Sequence, residues 1–266
     1  VRILAKIGGA QLEVPERRAQ MALAVRRAID AGHEVVVVHG GGNQIRELGK
    51  RLGIPERQHQ GLRVTDAETA DVVLMVLAGL VNKVLVHDLC AAGVRAVGYA
   101  GADAQSFHVA KHEPAGTDIG YVGTIAKVDP ALTFALLEQG FTPTIATSAP
   151  LAAGAAGPHD HSYNVNADLA AGPLAAAFRC DALLFLTDVP GVLDAAKTRC
   201  ASLTRARCAE LKASGVVSGG MIPKVDAALA ALDAHPRGIV KIAPADGDDC
   251  VLRALADDVG TRFLAS

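Results

Sequence analysis

Two lysines in this chain stand beside paired glycines: Lys6 in Lys6-Ile7-Gly8-Gly9, and Lys224 in Gly219-Gly220-Met221-Ile222-Pro223-Lys224. A glycine pair lets the backbone come close to a ligand because no Cβ intervenes, and the free N–H groups of a helix start favour an anion there. An ammonium beside such a turn can take up charge from a migrating phosphoryl group. One lysine alone is ordinarily a solvated surface charge; two, each tied to Gly-Gly, tilt the reading toward chemistry.

Two further glycine clusters follow apolar runs. Val35 to Gly42 reads VVVVHGGG, a β-branched run breaking into His39 and three glycines, and Thr187-Asp188-Val189-Pro190-Gly191-Val192 follows the expected strand Ala182 to Thr187. Ligands in open parallel sheets collect at the carboxyl ends of strands, so a ligand with several phosphates or carboxylates is expected. Neither a Walker A sequence nor a Gly-x-Gly-x-x-Gly after the first strand is present. Asn164-Val165-Asn166-Ala167-Asp168 puts short polar side chains at a helix entry. There Asn166 or Asp168 can act as a plain helix cap, or Asp168 can pair with both lysines while Asn164 hydrogen-bonds a substrate. Arg63, in Gly61-Leu62-Arg63-Val64-Thr65, is either a surface residue or a bidentate carboxylate binder.

Other chemistries find no support. The nine histidines lack metal-ligand spacing, His39 reads as a turn residue, and no Gly-x-Ser-x-Gly elbow occurs. Five scattered cysteines without a C-x-x-C indicate reduced thiols, consistent with a cytoplasmic protein. With 26 basic and 28 acidic residues, 3% aromatics and no Trp, nucleic acid is a poor partner. The longest apolar run, Val72 to Val81, is too short to cross a bilayer and reads as a buried helix face. Lys6 interrupts the first apolar stretch, unlike a signal peptide.

The elements that must position these residues alternate between short β-branched runs and helical patterns, an α/β arrangement with a mainly parallel open sheet. Strands are expected at Arg2 to Ile7, Val35 to Val38, Thr142 to Thr147, Ala182 to Thr187 and Gly238 to Ala243. Helices are expected from Pro15 to about Ala31, from Asn43 to Gly53, and from a Thr65-x-x-Glu68 capping box onward. Further helices are expected at Pro130 to Gly140, Ala167 to Phe178, Arg205 to Ala213 and Pro223 to Ala234. Pro173 should kink its helix or shift its start. Val94 to Val128 reads as a β-hairpin flap, Ala149 to Gly157 as a loop of small residues, and a seam between lobes is expected near Ser148 to Asp160.

Taken in order, Lys6-x-Gly-Gly, His-Gly-Gly-Gly, Gly-Leu-Arg-Val-Thr, Tyr-Asn-Val-Asn-Ala-Asp, Leu-Thr-Asp-Val-x-Gly-Val and Gly-Gly-Met-Ile-Pro-Lys resemble the amino acid kinase family, and within it the members acting on N-acetylglutamate. The resemblance runs from Lys6 to Gly260-Thr261-Arg262. It implies a three-layer αβα sandwich in two lobes, 1–150 for the acylated amino acid and dimerisation and 151–266 for the nucleotide, with ATP and Mg²⁺ used to phosphorylate the side-chain carboxylate of N-acetyl-L-glutamate in arginine biosynthesis. Residue by residue, it implies that Lys6 and Lys224 stabilise the transferring group and that Asp168 holds them. Gly8 and Gly9 would line the phosphate path, and Gly41, Gly42, Arg63 and Asn164 the substrate site. Thr187, Asp188, Val189, Gly191, Val192, Gly219, Gly220 and Met221 would surround the nucleotide. No metal ligand is assigned. A kinase for a related carboxylate, such as aminoadipate or glutamate on a carrier protein, and a non-catalytic nucleotide- or oxyanion-binding protein are the competing readings.

The chain departs from the family pattern at Gly101-Ala102-Asp103-Ala104, where many members have Gly-Lys-Asp-Gly, so this segment is expected to contact the substrate differently. It also begins at the first strand, without the extra N-terminal helix of arginine-regulated hexameric relatives. A homodimer insensitive to arginine is therefore expected, with the Thr65 to Leu89 helix as candidate interface.

Overall fold

The computed structural model describes residues 1–152, 157, 159–234 and 238–265. In chain order its first strands are β1 (Arg2–Ile7), β2 (Glu34–His39), β3 (Gln58–His59), β4 (Leu62–Arg63), β5 (Ala96–Tyr99), β6 (Phe107–Lys111) and β7 (Val122–Val128). They are followed by β8 (Thr142–Ala146), β9 (Ser148–Ala149), β10 (Tyr163–Val165), β11 (Ala182–Thr187), β12 (Ser202–Thr204), β13 (Ile239–Pro244) and β14 (Thr261–Leu264). The helices are α1 (Pro15–Asp30), α2 (Gly42–Arg51), α3 (Ala67–Leu74), α4 (Asn82–Ala91), α5 (Ala131–Glu138), α6 (Ala167–Ala177), α7 (Arg205–Ala213), α8 (Met221–Ala234) and α9 (Cys250–Leu255). A π-helical stretch, Met75–Val81, joins α3 and α4 into one helix, Ala67–Ala91.

Eight strands form one sheet in the order β12-β14-β13-β11-β1-β2-β8-β5, and only β13 and β14 run antiparallel to each other. β1 pairs with β11 on one side and β2 on the other, so the sheet is continuous between the two halves of the chain. Alternation along each strand sorts its side chains between two cores. Leu4, Val36, Val38, Leu183 and Phe185 meet α6, α7 and α8 on one face. Ile3, Ala5, Val35, Val37 and Leu184 meet α1, α3, α4 and α9 on the other. The result is the expected helix–sheet–helix arrangement.

A second sheet, β6-β7-β10-β9, carries the flap hairpin, with β6 and β7 antiparallel as expected. Strand β10 belongs to this sheet through parallel pairing with β7 and antiparallel pairing with β9. The flap is shorter than the sequence indicates, because β5 is an edge strand of the main sheet. Gly98 lies within β5. It is there for close packing: a Cβ at that position would lie 1.9 Å from Asn82 Oδ1. The hairpin β3–β4 and the elements β12, α9 and β14 had no separate sequence signal.

Three local expectations need correction. Asp66, and not Thr65, caps α3 by accepting from the Thr69 N–H; Thr65 instead bridges Gly120. Pro173 lies inside α6 without displacing its start, because Asn166 Oδ1 accepts from the N–H groups of Asp168 and Leu169 and fixes the first turn. The Val72 to Val81 run is part of a 25-residue helix that is long and apolar enough to cross a membrane. Val73, Val76, Leu85 and Leu89 are nevertheless enclosed in the core, while Met75 and Leu80 are about half exposed at 52% and 55%. Of the expected loop Ala149 to Gly157, residues 153–156 lie outside the described residues, and its first residue belongs to β9.

Candidate active site

Lys6 is the fifth residue of β1 and shares the face of Leu4, so alternation aims it at the layer containing α6. Asp168 is the second residue of α6, oriented by the Asn166 cap. Their charged ends meet at 2.6 Å between Lys6 Nζ and Asp168 Oδ1. Lys224 comes from the first turn of α8, and its Nζ stands 3.6 Å from Asp168 Oδ2. A close helix approach permits this: a Cβ on Gly172 of α6 would lie 2.6 Å from the Cα of Ala231 on α8.

Burial penalises charge at Lys6 and at Asp168. It lowers the Lys6 pKa, Asp168 opposes that change, and Lys224 adds to it. For Asp168 burial disfavours the anion, but the two ammonium groups and their hydrogen bonds outweigh it and hold the carboxyl below its usual range. Two ammonium groups to one carboxylate leave the cluster with a formal excess of positive charge.

A cavity of about 250 Å³ opens beside the triad, with Lys6, Gly9, Gly41, Gly42, Arg63, Asn164 and Asp168 on its wall. Gly41 is the N-cap of α2, and the turn is tight because Gly41 packs on the long helix. A Cβ there would lie 2.8 Å from Leu77 Cδ2 and 3.1 Å from Val81 Cγ2. Gly8 is not on the wall; its N–H donates to the Leu186 carbonyl at 3.3 Å. The Gly101 to Ala104 segment also stays off the wall. Its Asp103 accepts from the Ala100 N–H instead, while the flap contributes Val122. A larger cavity of about 640 Å³ lies among Leu12, Arg18, Glu47, Leu48 and Val84. It includes none of the triad, so size does not select the site.

Arg63 Nη2 donates to the Gly42 carbonyl at 2.9 Å and stands 2.9 Å from Glu56 Oε1. Burial lowers its pKa against the pull of Glu56. Glu56 also pairs with Arg46 at 2.6 Å, and Arg46 reaches the same cavity. Sequence reasoning missed both, because isolated charges near a glycine turn look like solvated surface. Asn164 Nδ2 donates to Thr65 Oγ1 at 3.3 Å, which orients it at the wall.

The residues expected around a nucleotide lie off this cavity, at the end of β11 and the start of α8. β11 neighbours β1, with Phe185 opposite Lys6, so Thr187 and the following loop emerge one strand from the triad. Thr187 Oγ1 donates to Asp188 Oδ1, Asp188 is exposed and Val189 half-buried. Gly191 adopts φ +142° against Thr261, and Val192 is fully buried, its N–H donating to Thr261 Oγ1 and its carbonyl accepting the Cys200 N–H, so both of its backbone groups are already engaged. Gly219, at φ +55°, Gly220 and Met221 lead into α8.

His39 is buried beneath the glycine turn. Burial depresses its pKa to about 4, with the Gly40 carbonyl opposing and Lys83 reinforcing the shift. Its Nδ1 lies 3.0 Å from that carbonyl and its Nε2 3.0 Å from Asn82 Nδ2, partners that fit a neutral ring with the proton on Nδ1. Among the described residues, no group of three or more His, Cys, Asp or Glu is arranged to hold a metal ion.

Triad, glycine turn and cavity sit together at the carboxyl ends of strands of a mainly parallel α/β sheet. The amino acid kinase family model matches residues 1–241, and the chain belongs to that family. It is 44% identical over 268 residues to the acetylglutamate kinase of Koribacter versatilis, covering all of both chains. Among solved structures it resembles smu.665 from Streptococcus mutans UA159, with a TM-score of 0.81, 27% identity and coverage of 100% of this chain and 99% of that one. The fold is also that of carbamate kinase from Giardia lamblia bound to AMP-PNP, with a TM-score of 0.72, 16% identity and coverage of 100% and 98%.

Proposed function

We propose that this chain transfers the γ-phosphoryl group of ATP to the side-chain carboxylate of N-acetyl-L-glutamate, a step of arginine biosynthesis. The observation that carries this reading is the Lys6–Asp168–Lys224 triad beside a cavity bearing Arg63 and Asn164. A carboxylate oxygen attacks Pγ, the bond from Pγ to the leaving ADP oxygen breaks, and an acyl phosphate forms. No protein nucleophile is needed, so positioning and electrostatics carry the rate. Lys6 and Lys224 offset the mutual repulsion of carboxylate and triphosphate, and Asp168 keeps both ammonium groups directed at the transferring group. Arg63 and Asn164 hold the acceptor's other carboxylate, and the N–H groups at Gly41 and Gly42 receive phosphate oxygens.

In this reading 1–150 and 151–266 are the acceptor and nucleotide lobes, with Thr187 to Val192 and Gly219 to Met221 surrounding ATP. Asn164 and Asp168 reach the acceptor cavity from the second half because β10 pairs with β7 and β9. Mg²⁺ fits only as a companion of the nucleotide: the triad's one carboxylate is already engaged by two lysines, and the described residues offer no cage of three ligands. No step is assigned to it. A cytoplasmic homodimer joined through the half-exposed Met75 and Leu80 side of the long helix completes the proposal.

A coupled ADP-release assay across N-acetylglutamate, glutamate, aspartate, bicarbonate and UMP tests the reading. Turnover is expected with N-acetylglutamate well above the others. ATP binding without turnover of any acceptor would favour a non-catalytic binding protein.

A further inference from the structure

Among the described residues, one buried hydroxyl on the cavity wall has no partner. Thr147 follows β8 directly and is fully buried; its carbonyl accepts the Val165 N–H at 3.0 Å, yet its Oγ1 bonds to nothing among the described residues. Hydroxyls on either side are satisfied: Thr144 Oγ1 donates to the Thr142 carbonyl, and Ser148 Oγ lies 2.8 Å from Ser162 Oγ. A hydroxyl removed from water and left unpaired is a cost that a fold retains for a reason.

Its position supplies the reason. His39 pairs with Ala146 across β2 and β8, which sets Thr147 level with the Gly40 to Gly42 turn. Ile145 shares the core of Leu4 and Val38, the face of Lys6, and the chain bends at Thr147 between β8 and β9. The residue borders the same cavity as Arg63 and Asn164.

We propose that Thr147 is a specificity residue for the acceptor, with Oγ1 hydrogen-bonding the uncharged acyl-amide group. This rests on the acceptor assignment above. The two carboxylates of that acceptor already have cationic partners in Arg63 and Lys6, which leaves the amide as the polar group still to be matched. A hydroxyl serves either the amide N–H or its carbonyl, and one χ1 step swaps Oγ1 with Cγ2 to direct it into the cavity.

Thr147→Val keeps the shape and removes the hydroxyl; Thr147→Ser keeps the hydroxyl. Kinetics with N-acetylglutamate and glutamate, together with the melting temperature, are the readouts. Thr147→Val should raise KM for N-acetylglutamate about tenfold, change kcat by less than about twofold, and reduce its preference over glutamate by the KM factor. Thr147→Ser should stay within about twofold of the parent. Should the valine variant fail to fold, Thr147→Ala is to be compared with Thr147→Ser in the same way.

An unchanged KM together with a raised melting temperature in Thr147→Val would overturn the proposal, since the hydroxyl would then be an unused buried group. If the parent protein turns over N-acetylglutamate and the variants do not differ, only the role of Thr147 falls. If the parent does not turn it over, the acceptor assignment falls and this inference with it.

Discussion

Lys6 and Lys224 engage the two oxygens of one carboxylate, Asp168 Oδ1 at 2.6 Å and Oδ2 at 3.6 Å, although they come from opposite ends of the chain. Asp168 therefore fixes where both ammonium groups point, and the anion is itself stabilised by them against burial. This mutual dependence gives a test. Asp168→Asn keeps the shape and removes the charge, and is expected to lower kcat by roughly a hundredfold. The variant also removes the influence that raises the Lys6 pKa, so the alkaline limb of the kcat profile should move to lower pH. A full kcat with an unmoved limb would count against the orienting role.

Arg63 is asked only for binding. Arg63→Ala should raise KM for the acceptor by about tenfold or more and leave kcat nearly intact. Steady-state kinetics at saturating ATP checks this, and a collapse of kcat at unchanged KM would transfer Arg63 to the chemical step.

Gly41 has an extended backbone, with φ 177°, so an alanine there would be unstrained and its cost purely steric. The added methyl would press on Leu77 and Val81 of the long helix. Gly41→Ala is expected to cost about 1–3 kcal/mol and to raise KM by displacing the turn. Denaturant unfolding alongside kinetics measures both, and a variant with unchanged stability and KM would mean the turn accommodates the methyl without moving.

His39 predicts a pH dependence of stability. Its folded pKa of about 4 lies below the ordinary 6.5, so between these values the unfolded chain binds a proton that the fold refuses. Stability is then fully present above about 6.5 and lost as pH falls toward 4, by about 3 kcal/mol from this residue at about 1.4 kcal/mol for each pH step. Urea unfolding at pH 7 and 4.5 should show a smaller acid loss in His39→Gln than in the parent. Equal losses would remove His39 as the cause.

Much of this was legible in the sequence. Short apolar runs mark β1, β2, β8, β11 and β13, because a strand covered by helices on both faces must be apolar throughout. Lys6 stood out as a charge inside such a run. Where the reading failed, composition and geometry diverge: Val94 to Val128 reads as one flap although β5 joins the main sheet, and Thr65 looks like a cap but bridges Gly120 while its neighbour Asp66 caps. The short strands β12 and β14 are edge elements whose order comes from pairing, which no local pattern records. Glu56, Arg46 and Thr147 become part of the site only through tertiary placement at the cavity wall or, for Glu56, beside Arg63.

The central claim is that two lysines flank phosphorus in transfer, and a rapid-quench measurement of single-turnover phosphoryl transfer reads that step directly. With ATP and N-acetylglutamate saturating, Lys6→Ala and Lys224→Ala are each expected to form the acyl phosphate roughly a hundredfold more slowly than the parent while binding ATP and keeping the fold. Transfer at the parent rate in either variant would contradict the account.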